Sequence, residues 1–345
     1  MKKIKIRFTG KDWDKLPHGQ VPHPFNKFLE NKYQLDFSNE PDYVISKESR
    51  NFYSSCLLKY PRAKVRILFA GEAFVPDFNI FDYAIGFDRI VFGDRYFRLN
   101  TINFFSFDTS YGNLIKSDKT IDLALSKERR FCNFIYSNRA SNIMRVRAFQ
   151  ALSKYRHVDA AGSLLRNIKQ RIATGQDWEL AKIEFQKQYK FTVSIENARY
   201  PGYTTEKLLH PMAADSIPIY WGNKDVGIEF NTKSFVNIHE FDSLEEAVER
   251  VKNIDEDRVL YEQILKEPWI TEQQRLDNHE NLTGYHAFLS NIFDQDLDAA
   301  RRRGDGTWNS RYEETLIKRI KLHEGYLRSP RHRLYRRLQK WKIIR

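Results

Sequence analysis

The stretch Tyr189–Asn223, YKFTVSIENARYPGYTTEKLLHPMAADSIPIYWGN, has the densest pattern of predicted elements and polar residues in the chain. Its apolar runs Phe191–Ile195 and Ile217–Trp221 predict two buried strands, and Thr205–Ala214 between them has the pattern of a helix. A strand, a helix and a second strand in this order indicate a parallel pair joined by a right-handed crossover. Because ligands of open α/β sheets bind at the carboxyl ends of strands, the polar residues between the first strand and the helix are predicted to line a site.

The start of this predicted helix favours an anionic ligand. Thr204 and Thr205 can each cap the helix, and the free backbone N–H groups of a first turn attract phosphate. Lys207 lies in that first turn, where a cation is unfavourable unless an anion binds beside it. The neighbouring Glu206 can accept hydrogen bonds from ribose hydroxyls. A capped surface helix with a solvated pair of Glu206 and Lys207 is the alternative interpretation.

The rest of the chain also alternates strands with helices. A length of 345 residues suits two globular domains, and the polar residues 108–130 are interpreted as their connection. We therefore predict an α/β protein with two domains that face a cleft. Further strands are predicted at Lys2–Phe8, Tyr33–Phe37, Asp42–Ser46, Val65–Ala70, Phe81–Phe87, Phe131–Tyr136, His157–Ala161 and Ser234–Ile238, and helices at Phe25–Asn31, from Ser137-Asn138 to Tyr155, at Trp178–Gln188 and at Ser243–Ile254.

The charge of the chain is concentrated at its end. The formal net charge is +12, and residues 328–345 (RSPRHRLYRRLQKWKIIR) contribute six Arg and two Lys without an acid, which leaves the rest nearly neutral. A general nucleic-acid-binding surface is therefore not expected. Apolar residues at helical spacing among these arginines predict a basic amphipathic tail. A disordered basic end or a nonspecific nucleic-acid contact is the alternative.

Several classes of site have no support in the sequence. No Walker loop, GxGxxG, HExxH or GxSxG motif occurs. Cys56 and Cys132 lack the spacing of a zinc site, and no run approaches the roughly 18–20 apolar residues of a membrane span, so we expect a reducing, cytoplasmic location. A metal role is a minor alternative to a solvated charged face for the Asp-x-Asp triplets at Asp12/Asp14, Asp255/Asp257 and Asp294/Asp296/Asp298.

Three stretches resemble the bacterial branch of the alpha-1,3/1,4-fucosyltransferases. The first is the run IEN-x-x-x-x-x-Y-x-TEK from Ile195, followed by IPIYWG. The second is Phe69–Asp88, FAGEAFVPDFNIFDYAIGFD, continued by Asp94-Arg95-Tyr96. The third pairs Gly162-Ser163 with Arg166-Asn167. Their order and spacing across residues 65–240 are similar to those of the family.

The resemblance implies a GT-B fold and a function. It predicts an acceptor-binding Rossmann-like domain at 1–128, a GDP-fucose-binding Rossmann-like domain at 129–315 and a basic amphipathic tail at 316–345. The implied reaction moves L-fucose from GDP-fucose to a GlcNAc or glucose hydroxyl of a glycan acceptor with inversion. No cofactor is expected, because GDP-fucose is the donor substrate and side chains can neutralise its diphosphate. The tail is expected to contact anionic lipid on the inner face of the membrane.

The resemblance also assigns roles to individual residues. Glu72 matches the family's catalytic base, Arg166 the arginine that pairs with the pyrophosphate, and Lys207 a point charge on phosphate. Two alternatives stay open, namely a GT-B transferase with another nucleotide-sugar donor and a nonenzymatic basic binding protein. The remaining substrate-binding candidates are Asn197, Tyr203, Thr204, Thr205, Glu206, Lys182, Ser137 and Asn138.

The chain departs from the family pattern at three points. Ala198 follows Asn197 where the family commonly has Ser, which removes one possible hydrogen bond. Pro211 is expected to kink the helix near its end. The heptad repeats of many bacterial members are missing, and residues 268–327 have only the pattern of ordinary amphipathic or charged helix.

Overall fold

The chain forms two compact α/β units. The computed structural model describes residues 1–48, 55–105, 121, 122, 124, 125, 128–138, 142–172, 178–328 and 330. Within these residues, the first unit contains Met1–Gly86, Ile90–Arg98 and the described chain from Tyr285 onward. The second contains Phe87–Arg89 and Leu99–Gly284.

Each unit is built on a parallel sheet, as the sequence predicts. In the described residues, the first sheet has six strands in the order β2-β1-β3-β4-β5-β6, and the second has five in the order β11-β10-β9-β7-β8. The strands are β1 (Lys2–Thr9), β2 (Tyr33–Asp36), β3 (Tyr43–Lys47), β4 (Val65–Phe69), β5 (Tyr83–Gly86), β6 (Tyr96–Arg98), β7 (Arg130–Phe134), β8 (Val158–Ala160), β9 (Tyr189–Ile195), β10 (Ile217–Trp221) and β11 (Val236–Asn237).

Helices cover the sheets and begin where the sequence supplies caps. The Ser243 hydroxyl accepts from the backbone N–H of Glu246, and the Asp257 side chain caps the next helix in the same way. The described helices are α1 (Asn26–Lys32), α2 (Thr101–Phe105), α3 (Met144–Tyr155), α4 (Trp178–Gln186), α5 (Glu206–Ala213), α6 (Leu244–Glu256), α7 (Arg258–Lys266), α8 (Glu272–Asp294), α9 (Leu297–Ala300) and α10 (Thr307–Arg328).

The central strands are buried along their whole length. All residues of β4 and all residues of β10 are buried, which is typical of parallel strands with helices on both faces. In the first sheet β3 pairs with β4, with Lys47 opposite Phe69. In the second sheet β9 lies between β7 and β10. The polar residues that follow these strands therefore lie at the carboxyl edges of the two sheets.

The two units divide the chain at other residues than the predicted domains do. Residues from Leu99 join the second unit, because the backbone N–H of Thr101 donates to Glu229 at 2.7 Å and Asn103 donates to the Asn278 carbonyl at 2.7 Å. Residues from Tyr285 return to the first unit. The long helix α8 carries the chain from one unit to the other.

A buried carboxylate fixes this returning segment to the first sheet. Asp82 is fully buried and accepts from the backbone N–H groups of Arg302 and Arg303 at 2.8 Å each, and from that of Arg66 at 2.7 Å. The Arg303 guanidinium forms an ion pair with the same carboxylate. The bonds to Arg302 and Arg303 join residues more than 200 positions apart, which local sequence patterns do not reveal.

The predicted tail does not begin at residue 316. Helix α10 starts at Thr307, and its Leu316, Ile317 and Ile320 pack on the core of the first unit. The basic stretch after Arg328 lies, except for Pro330, outside the described residues, so its amphipathic character stays a prediction. Among the described helices, none combines the length and hydropathy required to cross a membrane.

Replacing Asp82 tests how the first unit is held together. We expect Asp82→Ala to reduce the free energy of unfolding by about 3–5 kcal/mol, because it removes the carboxylate nearest to the buried Arg303 charge and leaves that charge with the more distant Glu313. Asp298→Ala is the control, since Asp298 forms an exposed ion pair with Lys64. Urea unfolding followed by fluorescence measures both. Equal midpoints for the two variants would contradict the structural role of Asp82.

Candidate active site

A cavity of about 420 Å³ lies at the carboxyl edge of the second sheet. It collects seven of the residues singled out from the sequence, and adds two aromatic residues and an arginine that the sequence did not indicate. The predicted residues on its wall are Ser137, Asn138, Arg166, Lys182, Asn197, Glu206 and Lys207, and the additional ones include Tyr136, Arg145 and Trp178.

Glu196 follows β9, has no exposed surface and contacts Lys207 of the cavity wall. Its carboxylate accepts from the Thr205 backbone N–H at 2.8 Å and from the Thr205 hydroxyl at 2.8 Å. Thr205 is also the N-cap of α5, where its hydroxyl accepts from the Lys207 backbone N–H. A Cβ on Gly222 would come within 2.5 Å of Glu196 Cγ, so glycine is required beside this carboxylate.

Lys207 is neutralised by carboxylates of the protein itself. Its Nζ lies 3.2 Å from Glu196 Oε2 and 3.2 Å from Glu206 Oε1, and it donates to the Thr205 hydroxyl at 2.9 Å. Burial acts against the charge of Lys207, but Glu196 and Glu206 outweigh it and raise its pKa. A bound anion is therefore not needed to explain a lysine in this first turn, which corrects the inference from the helix dipole. The pair with Glu206 is also partly buried rather than solvated.

Lys182 on α4 is a cation of the cavity whose pKa is lowered by burial. Only 7% of the residue is exposed. Burial lowers the pKa of Lys182 to about 8, with Glu206 opposing the shift and Lys207 adding to it. Its Nζ lies 5.9 Å from the centre of the Trp178 ring. An incoming anion would stabilise the protonated amine and so raise this pKa again.

The turn after β8 presents Arg166. The Asn167 side chain ties this turn to the strand, because it accepts from the Ala160 N–H at 2.7 Å and donates to the Val158 carbonyl at 2.8 Å. Arg166 itself donates to the Gly162 carbonyl at 3.3 Å. A Cβ on Gly162 would lie 2.0 Å from the Tyr136 carbonyl oxygen, so this close approach of two chain segments requires glycine.

Arg145 and Tyr136 were not predicted from the sequence. The Arg145 guanidinium is buried, stacks over the Tyr136 ring at 4.2 Å, and donates to Asn197 Oδ1 at 2.7 Å. The Tyr136 hydroxyl in turn forms two hydrogen bonds with the backbone of β9. It donates to the Val193 carbonyl and accepts from the Ile195 N–H. The sequence signal for Arg145 is weak, because an arginine at the start of a helix usually faces solvent.

The remaining predicted residues lie behind the wall of the cavity. Tyr203 is buried and meets the Asn197 amide at 3.4 Å. The Thr204 hydroxyl lies 3.3 Å from the Tyr220 hydroxyl and does not cap the helix. Helix α5 continues through Pro211 and ends at Ala213. Tyr203, Thr204 and Thr205 therefore support the cavity rather than line it.

Glu72 belongs to the first unit, where it follows β4 and is exposed. The loop around it is fixed by backbone hydrogen bonds, with the Phe74 N–H donating to the Glu72 carbonyl at 3.1 Å. The Gly71 N–H donates to the side chain of Glu48 at 2.8 Å. Glu48 is a second carboxyl at this edge of the sheet, and the sequence did not indicate it.

The Asp-x-Asp triplets are occupied by ion pairs. Asp14 pairs with Lys59, and Asp255 pairs with both Arg156 and Lys190. Asp294 pairs with Lys32. Across the part of the chain that the structure describes, no group of three His, Cys, Asp or Glu side chains could hold a metal ion.

The cavity has the chemistry of a phosphate-binding site with one hydrogen-bond acceptor. Arg145, Arg166, Lys182 and Lys207 line it, and Glu206 lies on the same wall. Burial acts to raise the pKa of Glu206, but Lys207 and Lys182 outweigh it and lower the pKa, so its carboxylate stays ionised and accepts hydrogen bonds. Guanidinium and ammonium groups in a partly buried cavity bind phosphate oxygens strongly.

The pKa of Lys182 can be measured directly. In protein whose lysines carry ¹³C-methyl groups, we expect one resonance with a midpoint near pH 8 that is missing from Lys182→Met. Lys187→Met, which removes an exposed lysine just after α4, is the control and should keep this resonance. Titration of every lysine near the ordinary value of about 10.4 would contradict the burial of Lys182 in this cavity.

Comparison with known proteins assigns the chain to a family. The family model described as "Glycosyltransferase family 10 (fucosyltransferase) C-term" matches residues 125–283, and "Alpha-(1,3)-fucosyltransferase FucT N-terminal domain" matches residues 14–105. The alpha-(1,3)-fucosyltransferase FucT of Helicobacter pylori is 31% identical over 70% of this chain and 55% of its own length. A putative fucosyltransferase of Acanthamoeba polyphaga mimivirus is 36% identical over 46% of this chain and 27% of its own.

Solved structures agree with this assignment. A crystal structure of an alpha1,3-fucosyltransferase is 25% identical, with a TM-score of 0.68 over 86% of this chain and 91% of that one. A crystal structure of an alpha1,3-fucosyltransferase with GDP-fucose has a TM-score of 0.65 at 25% identity, over 86% and 93% of the two chains. The predicted resemblance and GT-B fold are thereby confirmed, and the chain belongs to the fucosyltransferases of glycosyltransferase family 10.

Proposed function

We propose that this protein transfers L-fucose from GDP-fucose to a hydroxyl of GlcNAc or glucose in a LacNAc-type glycan, with inversion at the anomeric carbon. The observation that carries the proposal is the set of cations around one cavity at the carboxyl edge of the second sheet. Related crystal structures that contain GDP and GDP-fucose support the donor. The chain spans about half the length of the Helicobacter pylori relative and about a quarter of that from the mimivirus.

The cavity side chains have distinct roles in donor binding. Arg166 can meet the diphosphate with its planar fork of donors, because Asn167 fixes its turn and leaves the guanidinium at the cavity wall. Lys182 adds positive charge where the leaving group becomes more negative, and Lys207, which is paired with Glu196 and Glu206, lies on the same wall. Glu206 is the acceptor for the ribose hydroxyls. These hydroxyls are uncharged donors, and an ionised carboxylate accepts their hydrogen bonds.

We assign the general base to Glu72. The acceptor hydroxyl oxygen forms a bond to the anomeric carbon of fucose while its proton passes to the Glu72 carboxylate. The bond from that carbon to the diphosphate oxygen breaks, and its electron pair leaves with GDP. Support comes from the match of Glu72 to the family motif and from its exposed position at the end of β4. Direct inversion needs one such base.

The proposal extends to the linkage, the biological setting and the location of the protein. An alpha-1,3 linkage, with alpha-1,4 transfer as a further activity, follows the names of the relatives. Lewis-antigen or lipopolysaccharide O-chain synthesis is the setting that fits such a product. A cytoplasmic protein bound to the inner membrane face through residues 328–345 follows from the charge of that segment. A GT-B transferase with another nucleotide-sugar donor is the alternative.

A donor screen combined with one substitution tests the proposal. GDP-fucose should support transfer to LacNAc or type-1 acceptors, and GDP-mannose and UDP-sugars should not. Glu72→Gln should lower turnover by at least about 10²-fold, because acid–base assistance contributes about 10²–10⁴-fold. Its affinity for GDP, measured by calorimetry, should stay unchanged, since the amide alters no group of the cavity.

Glu40→Gln is the matched control, because Glu40 is an exposed glutamate of the same unit that pairs with Arg62. It should keep full turnover. Normal transfer by Glu72→Gln would remove the assignment of the base. Transfer from a UDP-sugar in place of GDP-fucose would replace the proposed donor.

Removal of divalent metal provides a separate test. Because Arg166 and Lys182 carry the charge that the diphosphate requires, we expect most of the turnover to survive excess EDTA. The measurement is steady-state transfer before and after chelation. A complete loss that manganese restores would show that side-chain cations alone are insufficient.

A further inference from the structure

The carboxyl edge of the first sheet carries a second carboxyl group that no motif assigns. Glu48 follows β3 as Glu72 follows β4, and these two strands are adjacent and parallel. Lys47 lies opposite Phe69 in the register. The two glutamates are therefore delivered to the same edge of one sheet by neighbouring strands.

Glu48 holds the backbone that leads to Glu72. Its own N–H donates to the Phe69 carbonyl at 3.3 Å, and its side-chain Oε2 accepts from the Gly71 N–H at 2.8 Å. Between these two contacts, the Ala70 N–H donates to the Ile85 carbonyl at 2.8 Å. Residues 69–71 are thus fixed on both sides, and Glu72 is the next residue along the chain.

A carboxyl group is an unexpected choice for this contact. A neutral amide or hydroxyl could accept the Gly71 hydrogen bond without the cost of burying a charge. Burial raises the pKa of Glu48, and the hydrogen bond from Gly71 and the charge of Lys47 oppose this shift. The nearby charge of Glu72 raises the pKa of Glu48 further. The two carboxyl groups are therefore coupled electrostatically as well as through the backbone.

We propose that Glu48 is a positioning residue for the general base, acting on Glu72 through the Gly71 N–H. Because it is attached to the neighbouring peptide, a change at Glu48 displaces the Glu72 side chain without touching the donor cavity of the other unit. A displacement of about 1 Å at a reacting group can lower a rate on the order of 10²-fold. The proposal rests on the assignment of Glu72 as the base.

A double-mutant cycle tests this coupling. Glu48→Ala should lower kcat by about 10- to 100-fold, with GDP affinity and the thermal midpoint unchanged. Glu48→Gln should keep kcat within about threefold of the unmodified protein, because its amide oxygen still accepts the Gly71 hydrogen bond. In the Glu72→Gln background, Glu48→Ala should change kcat by less than about twofold, since it acts through the group already removed. Glu40→Ala is the control for loss of a glutamate from this unit and should leave kcat unchanged.

Each outcome decides a separate claim. If the losses from Glu48→Ala and Glu72→Gln multiply, Glu48 acts independently and the positioning role is wrong. A loss in Glu48→Ala together with a lower thermal midpoint and weaker GDP binding would make Glu48 structural, which also overturns the proposal. Full turnover in Glu72→Gln would instead refute the proposed base, whatever the behaviour of Glu48.

Discussion

The cavity of the second unit depends on one buried carboxylate. Glu196 follows β9 and has no exposed surface, and Thr205 and Lys207 satisfy its oxygens. Because Thr205 is also the N-cap of α5, the same carboxylate fixes the start of the helix that carries Glu206 and Lys207. An unpaired charge at this depth would be costly, so helix, strand and lysine are held in one arrangement. The position of the cationic wall follows from that arrangement.

Local patterns predicted the elements well because each one reflects its own neighbours. The apolar runs that became β4, β9 and β10 are buried on both faces, and Thr205 caps α5 as expected. The division of the chain into its two units is not visible in such local patterns. The return of the chain to the first unit depends on Asp82 and Arg303, whose contact is invisible to any window of neighbouring residues.

In the candidate site, too, some residues could be predicted from the sequence and others depend on contacts that only the fold creates. Residues of the family motif, such as Arg166 and Lys182, could be named from the sequence, and they line one cavity. Arg145 could not, because only the fold turns it inward over Tyr136. Lys207 was assigned a bare charge, whereas two carboxylates neutralise it. Lys182 and Arg166 are therefore the cations on which donor affinity is expected to depend most.

The affinity for GDP as a function of pH tests whether the cations of this cavity bind a diphosphate. Lys182 has a pKa of about 8, so it loses its proton as the pH rises through that value unless phosphate is bound. Calorimetry between about pH 7 and pH 9 should show affinity falling above the pKa in the unmodified protein and staying nearly constant in Lys182→Met. Identical pH dependence in both proteins, or undetectable GDP binding, would contradict the binding of a diphosphate by the cations of this cavity.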